Sequence, residues 1–182
     1  MSLLKVAHMG HPVLRKRARA LDPAEVRSAV VQKFIDDLVD TMIEYEGVGL
    51  AAPQVHEGIR IFVAGIEGDE GRMQVLPFVN PVVTPASDQT ADDWEGCLSI
   101  PDIRGRVPRF HAVRVAALDR KGKPFELELE GFAARVIQHE ADHLDGVLFF
   151  DRMASFESLT FLEEFGRYHR RRDKDDDEEE ED

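Results

Sequence analysis

Gln138 to His143 reads QHEADH, two histidines four residues apart with a glutamate beside the first. On a helix, residues at this spacing lie one above the other on one face. Both imidazoles can then reach a single ion, which is the physical content of the H-E-x-x-H pattern. Glu140 is one step round the helix and is a poor third ligand. It is well placed to take a proton from water at such an ion. The plainer reading is two core histidines and a surface glutamate.

A third ligand would narrow the chemistry. In the longer pattern H-E-x-x-H-x-x-G-x-x-H the last histidine completes the set. Here Gly146 is kept, but Phe149 stands where that histidine belongs and cannot ligate. Glu157, Glu163 and Glu164 lie downstream, in what reads as an amphipathic surface helix. Cys97, in WEGCLSIP, is the only thiol. A lone cysteine is usually a small buried hydrophobe. A Cys-His-His set with an open fourth position, however, is a catalytic geometry. Thiolate and imidazole suit Fe(II), Zn, Co or Ni. Spacing alone does not bring residue 97 to residue 139.

Gly47 to Gln54 reads GVGLAAPQ. It matches G-x-G-x-x-A, but a dinucleotide loop follows a strand and opens a helix. This one follows a helical stretch and is stopped by Pro53. It reads better as a backbone rail for a peptide, with Gln54 aiming an amide N–H at a developing oxyanion. The plainer reading is a tight turn with a solvated glutamine.

These residues need elements to hold them. Val26, Val30, Phe34, Leu38 and Met42 recur every four residues, with Val31, Ile35, Val39 and Ile43 alongside, predicting one helix over 24–45. Asp22, Pro23 and Glu25 supply its start. IRIFVAG and VLPFVNPVV read as strands. HAVRVAAL and PFELELE flank DRKGK and predict an antiparallel hairpin, with Phe125, Leu127 and Leu129 on its dry face. Gly131 to Leu144 predicts a helix, with Phe132, Val136, His139 and His143 on one stripe and Gly146 as its stop. A last helix is expected from Ser155 to about Tyr168. Adjacent strand runs favour antiparallel pairing over βαβ units. The fold class is therefore α+β, mostly antiparallel sheets around a central helix that carries the motif.

The 182 residues suffice for one domain with a real core. The single cysteine excludes an internal disulfide and fits a reducing compartment. The first residues have no continuous apolar run, so no secretory leader is expected, and no apolar stretch is long enough to span a membrane. A cytoplasmic protein is expected. Nine of the last ten residues are acidic, so most of the net charge of −13 sits in that run. The remaining body is only mildly acidic and shows no nucleic-acid footprint. The expected organisation is a catalytic domain over 1–166 and a tail over 167–182, basic then acidic, with nothing apolar to bury and hence disordered.

GVGLAAPQ, EGCLS and QHEADH, in this order and spacing, resemble the peptide deformylases. GHPVLR at Gly10 to Arg15 and DRM at Asp151 to Met153 resemble that family as well. The resemblance covers roughly residues 4–155. It implies removal of the formyl group from the N-terminal formylmethionine of new polypeptides, with release of formate. It implies one divalent metal on Cys97, His139 and His143. Fe(II) is the ion it favours, with Zn(II), Ni(II) or Co(II) as substitutes. It implies Glu140 as base and acid, with the Gln54 amide and the Leu98 backbone N–H as oxyanion donors. Gly49 would bond the peptide main chain, Arg104 would lie near the substrate, and Val48, Leu98 and Val136 would line the methionine pocket. Glu95 and Arg109 resemble an ion pair that holds the cysteine loop, and Asp142 a brace. The segment DDW before Glu95 departs from the more apolar family pattern.

Other function classes fit less well. A zinc endopeptidase would use a carboxylate third ligand, and a metal- or peptide-binding module would not need both Glu140 and Gln54. Some bacterial members of the family end in a basic helix that resembles a ribosome anchor. Here Arg167, Arg170, Arg171 and Arg172 are followed by the acidic run, which repels RNA. Any ribosome association is therefore expected to be no more than transient. Deleting residues 173–182 is predicted to leave deformylation of a short peptide unchanged. A large loss in a formate-release assay would show that the tail is not an inert extension.

Overall fold

The computed structural model describes residues 2–67 and 71–170. The apolar stretch after Asp22 forms two helices, α1 (Pro23–Val26) and α2 (Ala29–Glu44), where one was expected. The break is made by Ser28. Its hydroxyl donates to the Glu25 carbonyl at 2.7 Å and accepts from the Val31 N–H at 3.3 Å. It thus closes one helix and caps the next, as serine does at a helix start. Ile35, Leu38 and Met42 are buried. The apolar stripe is narrower than its periodicity suggested, because Val30 and Ile43 remain exposed.

Among the described residues, eight strands follow in chain order as β1 (Gly49–Ala51), β2 (Ile61–Glu67), β3 (Met73–Pro85), β4 (Thr90–Cys97), β5 (Ile100–Phe110), β6 (Ala112–Leu118), β7 (Pro124–Glu130) and β8 (Thr160–Phe161). Five make one antiparallel sheet in the order β1-β2-β3-β6-β7, and three make a second in the order β4-β5-β8. The β6–β7 hairpin is the one the sequence predicts. Val113 pairs Leu129, Val115 pairs Leu127 and Ala117 pairs Phe125, while the intervening glutamates stay wet. β1, at the edge of its sheet, is formed by the glycine stretch itself.

Between these sheets runs α3 (Gly131–Leu144), which packs on β1, β2 and β3 and also reaches β5. The architecture is α+β. Ala134, Ile137 and Leu144 of α3 are fully buried in the same cluster as Phe62 and Phe78, whose rings stack at 4.8 Å. On the expected stripe, Val136, His139 and His143 are buried, but Phe132 in the first turn is exposed.

The last helix, α4 (Leu162–Tyr168), starts seven residues later than expected. Residues 155–159 turn instead, with the Glu157 N–H on Ser155 Oγ at 3.1 Å, and β8 then pairs with β5. Arg167, expected to begin the tail, lies in α4; residues 171–182 lie outside the described residues. No described helix is long and apolar enough to cross a membrane. Phe62→Ala should destabilise the fold by about 3–5 kcal/mol, measured by denaturant unfolding. A loss below about 1 kcal/mol would show that the Phe62–Phe78 stack is not the centre of the core.

Candidate active site

Three elements deliver the chemistry. α3 carries His139 and His143 one turn apart, with ring centroids 4.9 Å from each other. β4 ends on Cys97, whose Sγ lies 3.3 Å from His143 Nε2. One donor atom from each of the three falls within 4.8 Å of the others. None of the three downstream glutamates joins them. Glu163 and Glu164 are bound to Arg167, and Glu157 is exposed in its turn.

The group fits a metal ion on its own chemistry. Ligand atoms about 2.0–2.3 Å from one ion stand roughly 3–4 Å apart, as Sγ and Nε2 do here. Burial alone would raise the Cys97 thiol, but the His143 and His139 imidazoles hold it well below its ordinary range, favouring thiolate. Glu140 Oε2 and His143 Nδ1 are buried without a hydrogen-bond partner among the described residues. Such atoms are rare in folded proteins and call for a ligand, ion or water.

His139 is oriented from behind. Its Nδ1 meets Glu95 Oε2 at 2.8 Å, which turns Nε2 toward the donor group. Glu95 is held in turn by Arg109, through Nε at 2.8 Å and Nη2 at 3.0 Å, and by Arg135 Nη1 at 2.9 Å. Burial would raise the Glu95 carboxyl, yet His139 and Arg109 hold it far below the usual range. Arg109 continues to Asp142 at 2.5 Å, and Asp142 binds Arg152 at 2.7 Å and 3.1 Å. Glu95 and Arg109 are therefore a buried bidentate pair rather than a surface one. Arg135 and Arg152 were not anticipated. A signal for Arg135 exists, since it precedes His139 by four and shares its helix face.

Glu140 faces the cleft from α3. Burial pushes its carboxyl up to about 7, against the pull of His139 and His143. Gly49 of β1 lies against it, and a Cβ there would stand 2.6 Å from Glu140 Oε1. Gln54 is fully buried rather than solvated. Its Oε1 accepts the Ala51 N–H at 2.7 Å, so its Nε2 is the end that points at Cys97 Sγ (3.5 Å) and Ser99 Oγ (3.4 Å).

Leu98 and Ser99 form the turn between β4 and β5, since Cys97 pairs with Ile100. Gly96 precedes them with the Arg104 guanidinium directly over it; a Cβ would stand 2.0 Å from Nη1. Arg104 is half-buried in β5. Val48, Leu98, Arg104 and Val136 line one cleft of about 630 Å³ with His139 and Glu140. A second hollow of about 560 Å³, with Arg60 and Gln138 on its wall, lies apart from the thiol and both histidines.

The chain is similar to known proteins over most of its length. A family model for polypeptide deformylase matches residues 3–158. Peptide deformylase 1 of Prochlorococcus marinus (strain MIT 9313) is 42% identical over 170 residues, covering 90% of this chain and 88% of that protein. The Met-Ala-Ser-bound crystal structure of class I type b peptide deformylase from Acinetobacter baumannii is 36% identical, with a TM-score of 0.78, over 84% of this chain and 99% of that one. Peptide deformylase from Thermotoga maritima is 38% identical, with a TM-score of 0.77, over 85% and 100%.

Partners behind a metal-ligating histidine typically govern affinity by 10–100-fold. Glu95→Gln removes the charge that orients His139 and leaves Arg109 and Arg135 facing a neutral amide. It is expected to weaken metal binding by about 10–100-fold, read by competition with a chelator on folded protein. Unchanged affinity would separate Glu95 from the metal site.

Proposed function

Since this chain belongs to the polypeptide deformylase family, we propose that Cys97, His139 and His143 hold one divalent metal ion and that Glu140, Gln54 and Leu98 do the chemistry beside it. The reaction is hydrolytic removal of the N-formyl group from the N-terminal formylmethionine of newly made polypeptides. The observation that carries the site reading is the meeting of the thiol with both histidines at 4.8 Å or less, next to a buried glutamate. Fe(II) is the ion we assign, with Zn(II), Ni(II) or Co(II) as substitutes that the same donors accept. When bound, such an ion supplies Lewis acidity and lowers the pKa of water at its open position.

The chain's own groups carry the rest. Glu140 accepts a proton from the attacking water and returns it to the leaving amine. Gln54 Nε2–H and the Leu98 N–H donate to the developing oxyanion. One such donor is typically worth on the order of 3 kcal/mol of barrier. The Gln54 amide is fixed in advance by Ala51, so it needs no reorganisation as charge develops.

The peptide main chain lies along Gly49, with Arg104 on the opposite side. The methionine side chain packs on Val48, Leu98 and Val136. The A. baumannii relative holds Met-Ala-Ser, which is what hydrolysis of formyl-Met-Ala-Ser would leave. We place the protein in the cytoplasm, acting on emerging chains. Any contact with the ribosome is transient.

The test is formate release from a formyl-Met tripeptide by protein purified without oxygen, with metal content read on the same sample. A ferrous thiolate site would otherwise be open to oxidation. Wild type should turn over with about one metal per chain. Glu140→Ala should keep the metal and lose turnover by about 100-fold or more. Turnover comparable to wild type would remove Glu140 from the mechanism.

A further inference from the structure

Ser99 is a fully buried hydroxyl beside the reacting groups that takes no part in the proton transfers. It sits in the turn between β4 and β5, one residue after Leu98 and two after Cys97. Its Oγ accepts from Gln54 Nε2 at 3.4 Å. Main chain fixes the spacing of these two residues. The Ala7 N–H binds the Gln54 carbonyl at 2.7 Å, and the Met9 N–H binds the Ser99 carbonyl at 2.7 Å. The segment from Ala7 to Met9 therefore bridges the stretch that carries Gln54 and the turn that carries Ser99.

A carboxamide has one acceptor oxygen and two N–H donors. In Gln54 the oxygen is taken by the Ala51 N–H. That bond alone leaves the amide plane free to swing, because the last torsion of a glutamine is soft. A second contact, from Nε2 to Ser99 Oγ, fixes the plane. It occupies one N–H and sets the direction of the other. Cys97 Sγ lies within reach of the same nitrogen at 3.5 Å, so an amide released by Ser99 can turn its donors to sulfur instead. Water does not compete for the contact, since Gln54 and Ser99 are 1% and 0% exposed.

We infer that Ser99 is a positioning residue that sets the Gln54 amide at a fixed place relative to the Leu98 N–H, and so joins the two oxyanion donors into one unit. Leu98 and Ser99 share a turn, so a single hydrogen bond ties the side-chain donor to the main-chain donor. Such donors act by being aimed beforehand at the place where charge develops. This rests on the deformylase reading of the cleft, in which Gln54 and Leu98 are those donors. Ser99 acts through Gln54.

The test is a double-mutant cycle on formate release from formyl-Met-Ala-Ser by the metal-loaded enzyme. Ser99→Ala removes one oxygen and no carbon. It should lower kcat about ten-fold, with KM changed by less than about two-fold. In Gln54→Ala protein the same change should add less than about two-fold to the loss. Metal affinity, read by competition with a chelator on folded protein, should be the same for wild type and Ser99→Ala. An unchanged kcat in Ser99→Ala would overturn the role. So would an equal loss in both backgrounds, which is what a merely structural serine or a loosened turn gives. A loss of metal affinity would overturn it too, by placing the hydroxyl's effect on Cys97 rather than on Gln54. No formate from the wild type would overturn the deformylase reading instead.

Discussion

A carboxylate buried between two guanidinium groups and an imidazole holds the site together. Each oxygen of Glu95 accepts from two donors: Oε1 from Arg109 and Arg135, Oε2 from Arg109 and His139. Burying an ion costs several kcal/mol, and only saturated hydrogen bonding offsets it. Here that saturation joins β4, β5 and α3, the three elements that must agree on where Cys97 and the histidines stand. Cys97 follows Glu95 by two residues, so fixing the carboxylate fixes the thiol. Through Arg109 the same set extends to Asp142 and on to Arg152. Such a network adds little net stability, and its value here is in positioning.

The opposite side of the site is built from main chain. β1 is short, sits at the edge of its sheet and approaches α3 so closely that Gly49 leaves no room for a methyl group beside Glu140. Burial of that carboxyl raises it to about 7. Gln54 is tied to the same strand through Ala51. In the proposed mechanism the narrowness also selects. A formyl group carries only hydrogen on its carbonyl carbon and fits where an internal peptide bond would not.

The cleft thus divides into a polar floor and apolar walls. The floor belongs to the segment that matches the family, and its chemistry follows from a few buried side chains. Part of the wall comes from Leu162 of α4, beyond that segment, where a two-residue strand is enough to pin a short helix over Trp94.

Much of this was legible in the chain itself. The i, i+4 histidines, the alternation of Phe125, Leu127 and Leu129, and the start signals at Asp22 and Pro23 are local patterns, because helix and strand periods place side chains without outside help. The three short motifs together also carried the family resemblance. Other features depended on neighbours remote in sequence. Ser28 split a helix that apolar periodicity ran straight through, and β8 displaced the start of the last one by pairing with β5. Residue spacing left Cys97 and three glutamates as rival partners for the histidines, and only the fold brought the thiol to them across more than forty residues. Burial was equally hidden: Gln54, Glu140, Glu95 and Arg109 are polar types usually found at surfaces, and the two sheets closing on α3 made them interior. Sequence determined which groups could do chemistry; tertiary packing decided which of them meet and how dry they are, because long-range contacts and dielectric belong to the folded chain alone.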